Sequence, residues 1–317
     1  MKIDKSFLSS FVKVTEMAAY GASQFKGKND KIAADQAAVD YMRKELNNIN
    51  MKGNVVIGEG ELDEAPMLYV NEKVGNQNGV ELDIAVDPLE GTNFTAKNLP
   101  NALSVMAVST KDNILKAPDM YMEKIAVGPN LPKKLIDLDF SIEKNINLLA
   151  DAKEKKIENL TACILKRSRH DLIIRSLNKM GVKIKFIDDG DVAGVISVAN
   201  TESNIDIFIG TGGAPEGVLA AAALSCLECQ MQTRLKFEDK NQKTKARNLG
   251  IINLDKKYDI EDMIKSDVIF TATGVTNGDL VKGVKDLGDF FQTETYVLHK
   301  STKTKKKIVS KIKKNEL

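Results

Sequence analysis

The sequence predicts an α/β protein in two lobes. Short apolar runs alternate with segments of helical period, the pattern of layered α/β or α+β chains. Those runs repeatedly end in polar clusters, at Gly58, Asp87, Lys166, Asp188 and Gly210. A chain of 317 residues is long enough for two packed lobes or one large domain.

Residues 6–25 carry Phe7, Leu8, Phe11, Val14, Met17 and Ala18 at helical spacing, and 35–46 place Ala37, Ala38, Tyr41, Met42 and Leu46 on one side of a second helix. Apolar strands are expected at 55–57, 82–86, 103–108 and 162–165. A helix follows over 171–180, then strands at 182–187 and 205–209, and an Ala-rich helix starts near Pro215, which suits a first helical turn. Late strands are expected at 268–272 and 295–299. The charged stretch 151–158 suggests a boundary, with one lobe over 1–158 and the other over 159–317.

Lys and Arg number 46 against 44 Asp and Glu, a net charge of +2, so nothing in the whole-chain balance points to nucleic acid. The last eighteen residues hold eight Lys and one Glu, a local +7, which leaves −5 on the other 299. Ile308, Val309 and Ile312 interrupt this tail, so it reads as a charged edge segment rather than a nucleic-acid arm. No apolar run reaches the roughly 18 residues of a membrane span, and residues 1–10 lack the apolar core of a signal peptide. Three cysteines, Cys163, Cys226 and Cys229, make no disulfide framework, and a cytoplasmic setting is expected. Cys226 and Cys229 form a C-x-x-C at the end of an apolar run, where two small helix residues are the expectation.

The chemistry concentrates in acids beside glycines. An apolar strand delivers Asp87, Pro88 stops the ladder, Glu90 falls on the turn, Gly91 permits close backbone approach and Thr92 adds a hydroxyl. Ile57-Gly58-Glu59-Gly60-Glu61 repeats the theme, and Gly212-Gly213-Ala214-Pro215-Glu216-Gly217 puts an acid in a helical first turn. If Glu59, Asp87, Glu90 and Glu216 converge, like charges need cations, and hard Mg²⁺ or Mn²⁺ takes oxygen ligands. Two such metals activate water and steady a leaving oxygen in phosphoester hydrolysis. Lys166, Arg167, Arg169 and His170 follow a strand and suit a second phosphate, since Arg grips phosphate bidentately. Asp189 and Asp191 on a Gly turn suit sugar hydroxyls.

In order along the chain, Lys31-x-x-x-Asp35, Gly58-Glu59-Gly60-Glu61-x-Asp63-Glu64-Ala65-Pro66-Met67, Asp87-Pro88-x-Glu90-Gly91-Thr92, Ala117-Pro118-Asp119-Met120-Tyr121-Met122-Glu123-Lys124, Asp189-Gly190-Asp191-Val192 and Gly212-Gly213-Ala214-Pro215-Glu216-Gly217 resemble class II (GlpX-type) fructose-1,6-bisphosphatases. The resemblance runs from about residue 6 to 312. The Asp-Pro-x-Glu-Gly-Thr element marks the wider lithium-sensitive phosphatase superfamily, and the third-last and last elements mark class II. The resemblance implies the layered α/β/α/β/α sandwich of sugar phosphatases and hydrolysis of the 1-phosphate of fructose-1,6-bisphosphate, a step of gluconeogenesis. It implies metal ligation by Asp35, Glu59, Asp87, Glu90 and Glu216, with Mn²⁺ or Mg²⁺ as cofactor. Thr92 would orient the attacking water, with Lys31 near the same centre. Substrate contacts would come from Glu90, Gly91, Thr92, Tyr121, Arg167, Ser168, Arg169, Asp189, Gly190, Asp191 and Gly213. Gln36, Thr211 and Arg167-Ser168 depart from the family's frequent Gly, Ile and Lys-Pro. A sugar bisphosphate is the expected partner, with a homo-oligomer and neither nucleic acid nor membrane.

Other readings compete. Sedoheptulose-1,7-bisphosphate is an alternative substrate. Cys163 to Arg169 has the C-x₅-R spacing of cysteine phosphatases, but Cys163 lies in a predicted strand, with no Gly for a phosphate cradle. Asp137-Leu138-Asp139 faintly resembles an aspartyl-phosphate motif, behind a lead-in strand of only two residues. A silent phosphate-binding regulator would need loss of an acid or of Thr92, and all are present.

Overall fold

The computed structural model of the protein describes residues 2–58, 68–200 and 202–316. Its chain forms two compact units, residues 1–114 with 266–317, and residues 115–265. The boundary expected near 158 falls inside the second unit. The charged stretch there is the end of one helix and the short turn leading to a buried strand. The last 52 residues return to the first unit because their strands pair with its sheet.

The first unit opens with α1 (Phe7–Ser23) and α2 (Lys31–Asn47), followed by β1 (Met51–Ile57), β2 (Lys73–Val74), β3 (Val80–Glu90), α3 (Thr92–Ala96) and β4 (Leu103–Thr110). The second unit carries β5 (Tyr121–Val127), α4 (Ile142–Ala152), β6 (Thr161–Leu165), α5 (Asp171–Met180), β7 (Lys183–Ile187), α6 (Asp191–Ile196), β8 (Ile207–Gly213), α7 (Ala214–Cys226), β9 (Gln230–Lys236), α8 (Lys240–Asn248), β10 (Lys257–Asp259) and α9 (Ile260–Met263). The chain then completes the first sheet with β11 (Val268–Gly274), β12 (Lys285–Leu287), β13 (Phe290–His299) and β14 (Thr304–Lys313).

The first sheet runs β12-β13-β11-β4-β3-β1-β2, with β14 also on β13. Only β1 and β3 pair in parallel there; the other described pairs are antiparallel. Phe11, Met17, Met42 and Leu46 of the two long helices pack with Leu82, Ile84, Val86, Met106 and Phe291. Leu82, Ile84 and Val86 of β3 and Met106 and Val108 of β4 recur at every second position toward these helices, as the strand period requires. The Lys-rich tail is β14, an edge strand paired along its length with β13, and its lysines suit an edge that must not recruit another chain.

The second sheet runs β10-β9-β5-β8-β6-β7. Ile146 and Leu149 of α4 and Leu177 of α5 cover one face, against Ile125, Val127, Ile207 and Ile209. On the opposite face α6 and α7 pack closely: a Cβ at Gly194 would lie 3.3 Å from Phe208, and one at Gly217 would lie 2.7 Å from Met122. The unit is thus helix, sheet, helix, consistent with the α/β class that the alternating pattern predicts.

Three elements differ from the sequence reading in ways that matter for the site. α2 starts at Lys31 rather than 35, because the Asp30 side chain accepts from the Ala33 N–H at 2.9 Å and caps the helix a turn earlier. β3 does not stop at Pro88 but continues to Glu90. β8 runs through Gly210-Thr211-Gly212-Gly213 instead of ending before it, since these residues pair with Tyr121–Lys124 of β5. β5 itself, with the Tyr121-Met122-Glu123-Lys124 motif, has no sequence counterpart among the expected strands.

Candidate active site

In the first unit, Lys31 and Asp35 stand four residues apart on α2, one turn along the same face. Lys31 is exposed and Asp35 half-buried. Asp87 and Glu90 stand at the end of β3. Pairing with β4 matches Asp87 to Val105 and Glu90 to Leu103, so three residue steps on β3 oppose two on β4. This is a β-bulge, and it holds Pro88, which has no N–H to give a ladder. Gly91 then adopts a left-handed conformation, φ +84°, that a side chain would strain. It turns the chain into α3, whose first residue is Thr92. Glu90 is buried, while Asp87 and Thr92 are half-buried. Glu59 lies outside the described residues.

In the second unit, the loop after β6 forms a short turn that carries Arg167, Ser168 and Arg169. Arg169 donates from Nε and Nη2 to the Thr211 carbonyl at 3.0 and 2.8 Å. Its guanidinium lies 4.6 Å from the centre of the Tyr121 ring, within cation–π range. Arg167 donates to the carbonyls of Lys166 at 3.0 Å and Asp188 at 2.7 Å. Backbone carbonyls thus hold both guanidinium groups. Ser168 is exposed, and Tyr121 pairs with Gly213 across β5 and β8.

His170 does not join this cationic group. It is fully buried, and the Thr211 N–H donates to its Nε2 at 2.8 Å. Nε2 must therefore be bare, and Nδ1 carries the proton it gives to the Leu165 carbonyl at 2.7 Å. Burial pushes its pKa below the usual imidazole range, so His170 is a neutral brace.

Asp189, Gly190 and Asp191 lead into α6. Gly190 takes φ +77° at the helix start. Burial raises the Asp189 carboxyl, against the hydrogen bond from Gly190 and the nearby Arg167. Asp191 is buried and ion-paired to Lys124. Glu216 sits in the first turn of α7 and folds back over Gly213, where an added Cβ would meet its Oε2 at 1.9 Å. Burial pushes the Glu216 carboxyl up, Lys124 opposes this, and Asp191 and Asp119 add to it. Sequence reasoning did not single out Lys124, which is buried beside these acids and ion-paired to Asp191. It belongs to the Tyr121-Met122-Glu123-Lys124 run, but nothing in the sequence shows that its side chain turns inward.

The donors that the resemblance singles out are all carboxylates, and they suit a hard divalent cation. Glu216 is a carboxyl that burial and two neighbouring acids drive toward protonation, a condition that a cation relieves. Among the described residues, no three His, Cys, Asp or Glu side chains gather as a metal cage. Cys163, by contrast, is buried in the middle of β6 and cannot meet a substrate as a nucleophile. Asp137 and Asp139 are engaged with Lys257 at 2.6 and 2.7 Å, and Asp139 also with Arg234 at 2.7 Å.

The family described as "Bacterial fructose-1,6-bisphosphatase, glpX-encoded" matches residues 5–312. The fructose-1,6-bisphosphatase class 2 of Haemophilus influenzae is 44% identical, over 97% of this chain and 96% of its own length. The fructose-1,6-bisphosphatase 1 class 2 of Escherichia coli K12 is also 44% identical, over 95% of this chain and 93% of its own. A Synechococcus relative named D-fructose 1,6-bisphosphatase class 2/sedoheptulose 1,7-bisphosphatase is 38% identical, over 95% and 94%. These relatives are sugar bisphosphatases by name. The chain belongs to the bacterial glpX-encoded fructose-1,6-bisphosphatase family.

Proposed function

We propose that this protein hydrolyses the 1-phosphate of fructose-1,6-bisphosphate to fructose 6-phosphate and inorganic phosphate. The observation that carries this reading is the 44% identity over 97% of the chain to a class 2 fructose-1,6-bisphosphatase. In the reaction, water attacks phosphorus, the bond from phosphorus to the C1 oxygen breaks, and a proton ends on that oxygen. Asp35, Glu59, Asp87, Glu90 and Glu216 are the residues proposed to hold Mg²⁺ or Mn²⁺. When bound, such a cation lowers the pKa of water and neutralises charge on the phosphoryl group.

The chain's own groups supply direction and binding. The Thr92 hydroxyl accepts one hydrogen bond and donates another, so it can aim the attacking water, with Lys31 serving the same centre. Glu90 and Gly91 contact the reacting end. Arg167, Ser168, Arg169 and Tyr121 anchor the second phosphate, and Asp189, Gly190, Asp191 and Gly213 receive the sugar. A cytoplasmic, gluconeogenic role in a homo-oligomer accompanies this reading.

A panel of sugar mono- and bisphosphates, assayed for phosphate release with Mg²⁺ or Mn²⁺ and with EDTA, tests it. Metal-dependent release from fructose-1,6-bisphosphate is expected, and full activity in excess EDTA would overturn the metal role. Sedoheptulose-1,7-bisphosphate belongs in the panel, because the Synechococcus relative carries that name.

A further inference from the structure

Lys124 is among the largest fully buried side chains of the protein, with no exposed side-chain surface. It rises from β5 and pairs with Oδ2 of Asp191 at the start of α6. Three glycines leave the room this pair needs. A Cβ at Gly212 would lie 2.0 Å from Asp191 Oδ2 and 3.2 Å from Lys124 Nζ. One at Gly217 would lie 3.1 Å from Lys124 Cε, and one at Gly213 would collide with Glu216. The Gly-Gly-Ala-Pro-Glu-Gly run is therefore a mould for a buried lysine and two acids. Asp191 Oδ1 is sheltered and has no hydrogen-bond partner among the described residues. A buried oxygen of this kind calls for a donor.

A buried ion pair is a poor source of net stability, because desolvation offsets the attraction and an apolar pair of similar volume often does as well. Position is the better reason for this one. We infer that Lys124 is a positioning residue: it fixes Asp191 through Oδ2, so that Oδ1 receives a hydroxyl of the sugar. Lys124 thereby sets the preference for a sugar phosphate over a simple phosphomonoester. This rests on the proposed bisphosphatase reading.

The test compares the full-length enzyme with Lys124→Met, Asp191→Asn, the double variant and Gly212→Ala. Each is assayed on fructose-1,6-bisphosphate and on p-nitrophenyl phosphate, with melting temperature and circular dichroism as controls. Lys124→Met should raise KM for the bisphosphate about tenfold or more and lower p-nitrophenyl phosphate turnover by a clearly smaller factor. In the Asp191→Asn background the same change should have almost no further effect. Gly212→Ala, whose added Cβ would displace the carboxylate and crowd the Lys124 ammonium, should reproduce the selective loss. Equal losses on both substrates, additive losses in the double variant, or an unaltered KM in folded Lys124→Met would overturn the assignment. A wild type active only on p-nitrophenyl phosphate would sink the bisphosphatase reading itself. A wild type active on both, with Lys124→Met unaltered, would sink only the role of the lysine.

Discussion

Asp87 and Glu90, three residues apart on β3, present their side chains on the same face of the sheet. In a regular strand an odd separation would put them on opposite faces. Their partners on β4, Val105 and Leu103, are two residues apart, so the bulge between them restores the parity. The shared face is the one turned away from α1 and α2, because Leu82, Ile84, Val86 and Leu89 occupy the helix side. A pair of carboxylates that strand period would separate is brought together by one proline-containing bulge.

This parity is testable by insertion. One residue added between Leu89 and Glu90 sets four steps on β3 against three on β4 while the bulge remains, which should turn Glu90 to the helix side or break the end of β3, and phosphate release should fall by roughly 10²-fold or more, the scale of losing an electrostatic clamp. Asp87→Asn should cause a loss of the same order in a fold unchanged by circular dichroism. Turnover near wild type in either variant would show that the two acids do not act together.

Thr92 begins α3 directly after Gly91, and its half-buried hydroxyl follows Glu90 by two residues. Thr92→Val keeps shape and removes the hydrogen-bonding link. The expected fall in kcat is roughly 10²-fold, on the general acid–base scale, with metal affinity nearly unchanged. Thr92→Ser should keep substantially more activity. Equal losses in both variants, with normal metal binding, would assign the residue to the geometry of the turn.

Arg169 is held by the Thr211 carbonyl and the Tyr121 ring, which leaves N–H groups of its fork for an anion. Arg169→Ala should raise KM for the bisphosphate more than it lowers kcat. Arg169→Lys should rescue little, because an ammonium neither stacks nor binds in two places as a guanidinium does. A simple phosphomonoester should barely register either change. Equal losses on both substrates would move Arg169 to the reacting centre.

His170 predicts a pH dependence. Its pKa is depressed in the fold, chiefly by burial, so the unfolded chain binds the proton more readily. Its contribution to stability is present above the ordinary imidazole value of about 6.5 and is lost as pH falls below it. Protonation of Nε2 also removes the acceptor for the Thr211 N–H, on the residue whose carbonyl holds Arg169. Melting temperature should drop and KM rise as pH is lowered from 7.5 to 5.5. His170→Gln, which does not titrate, should flatten both trends. An unchanged pH profile in that variant would place the dependence elsewhere.

Cys163 provides a negative control. Its thiol is buried in β6, and a Cβ at Gly194 of α6 would lie 3.6 Å from the sulfur. Cys163→Ser should leave kcat within a few-fold. A folded but inactive variant would reopen the C-x₅-R mechanism.

The sequence by itself determined the α/β class, the two long helices, most of the buried strands and the family, because these rest on local periodicity and on short motifs. It also marked Asp87, Glu90, Thr92, Glu216 and the Arg167–Arg169 loop, since each sits beside a glycine or at a strand end. Only the tertiary structure decided what depends on pairing between distant segments. The register of β3 against β4 places Asp87 and Glu90 on one face, although Pro88 read locally as a stop. The pairing of β5 with β8 drew Gly210–Gly213 into a strand and turned Lys124 inward to Asp191. The return of β11 and β13 to the first sheet moved the boundary away from 158. His170 changed from a cation to a neutral brace because burial and two backbone partners set its proton. In each case the deciding contact joins residues far apart in sequence, which no window of local pattern contains.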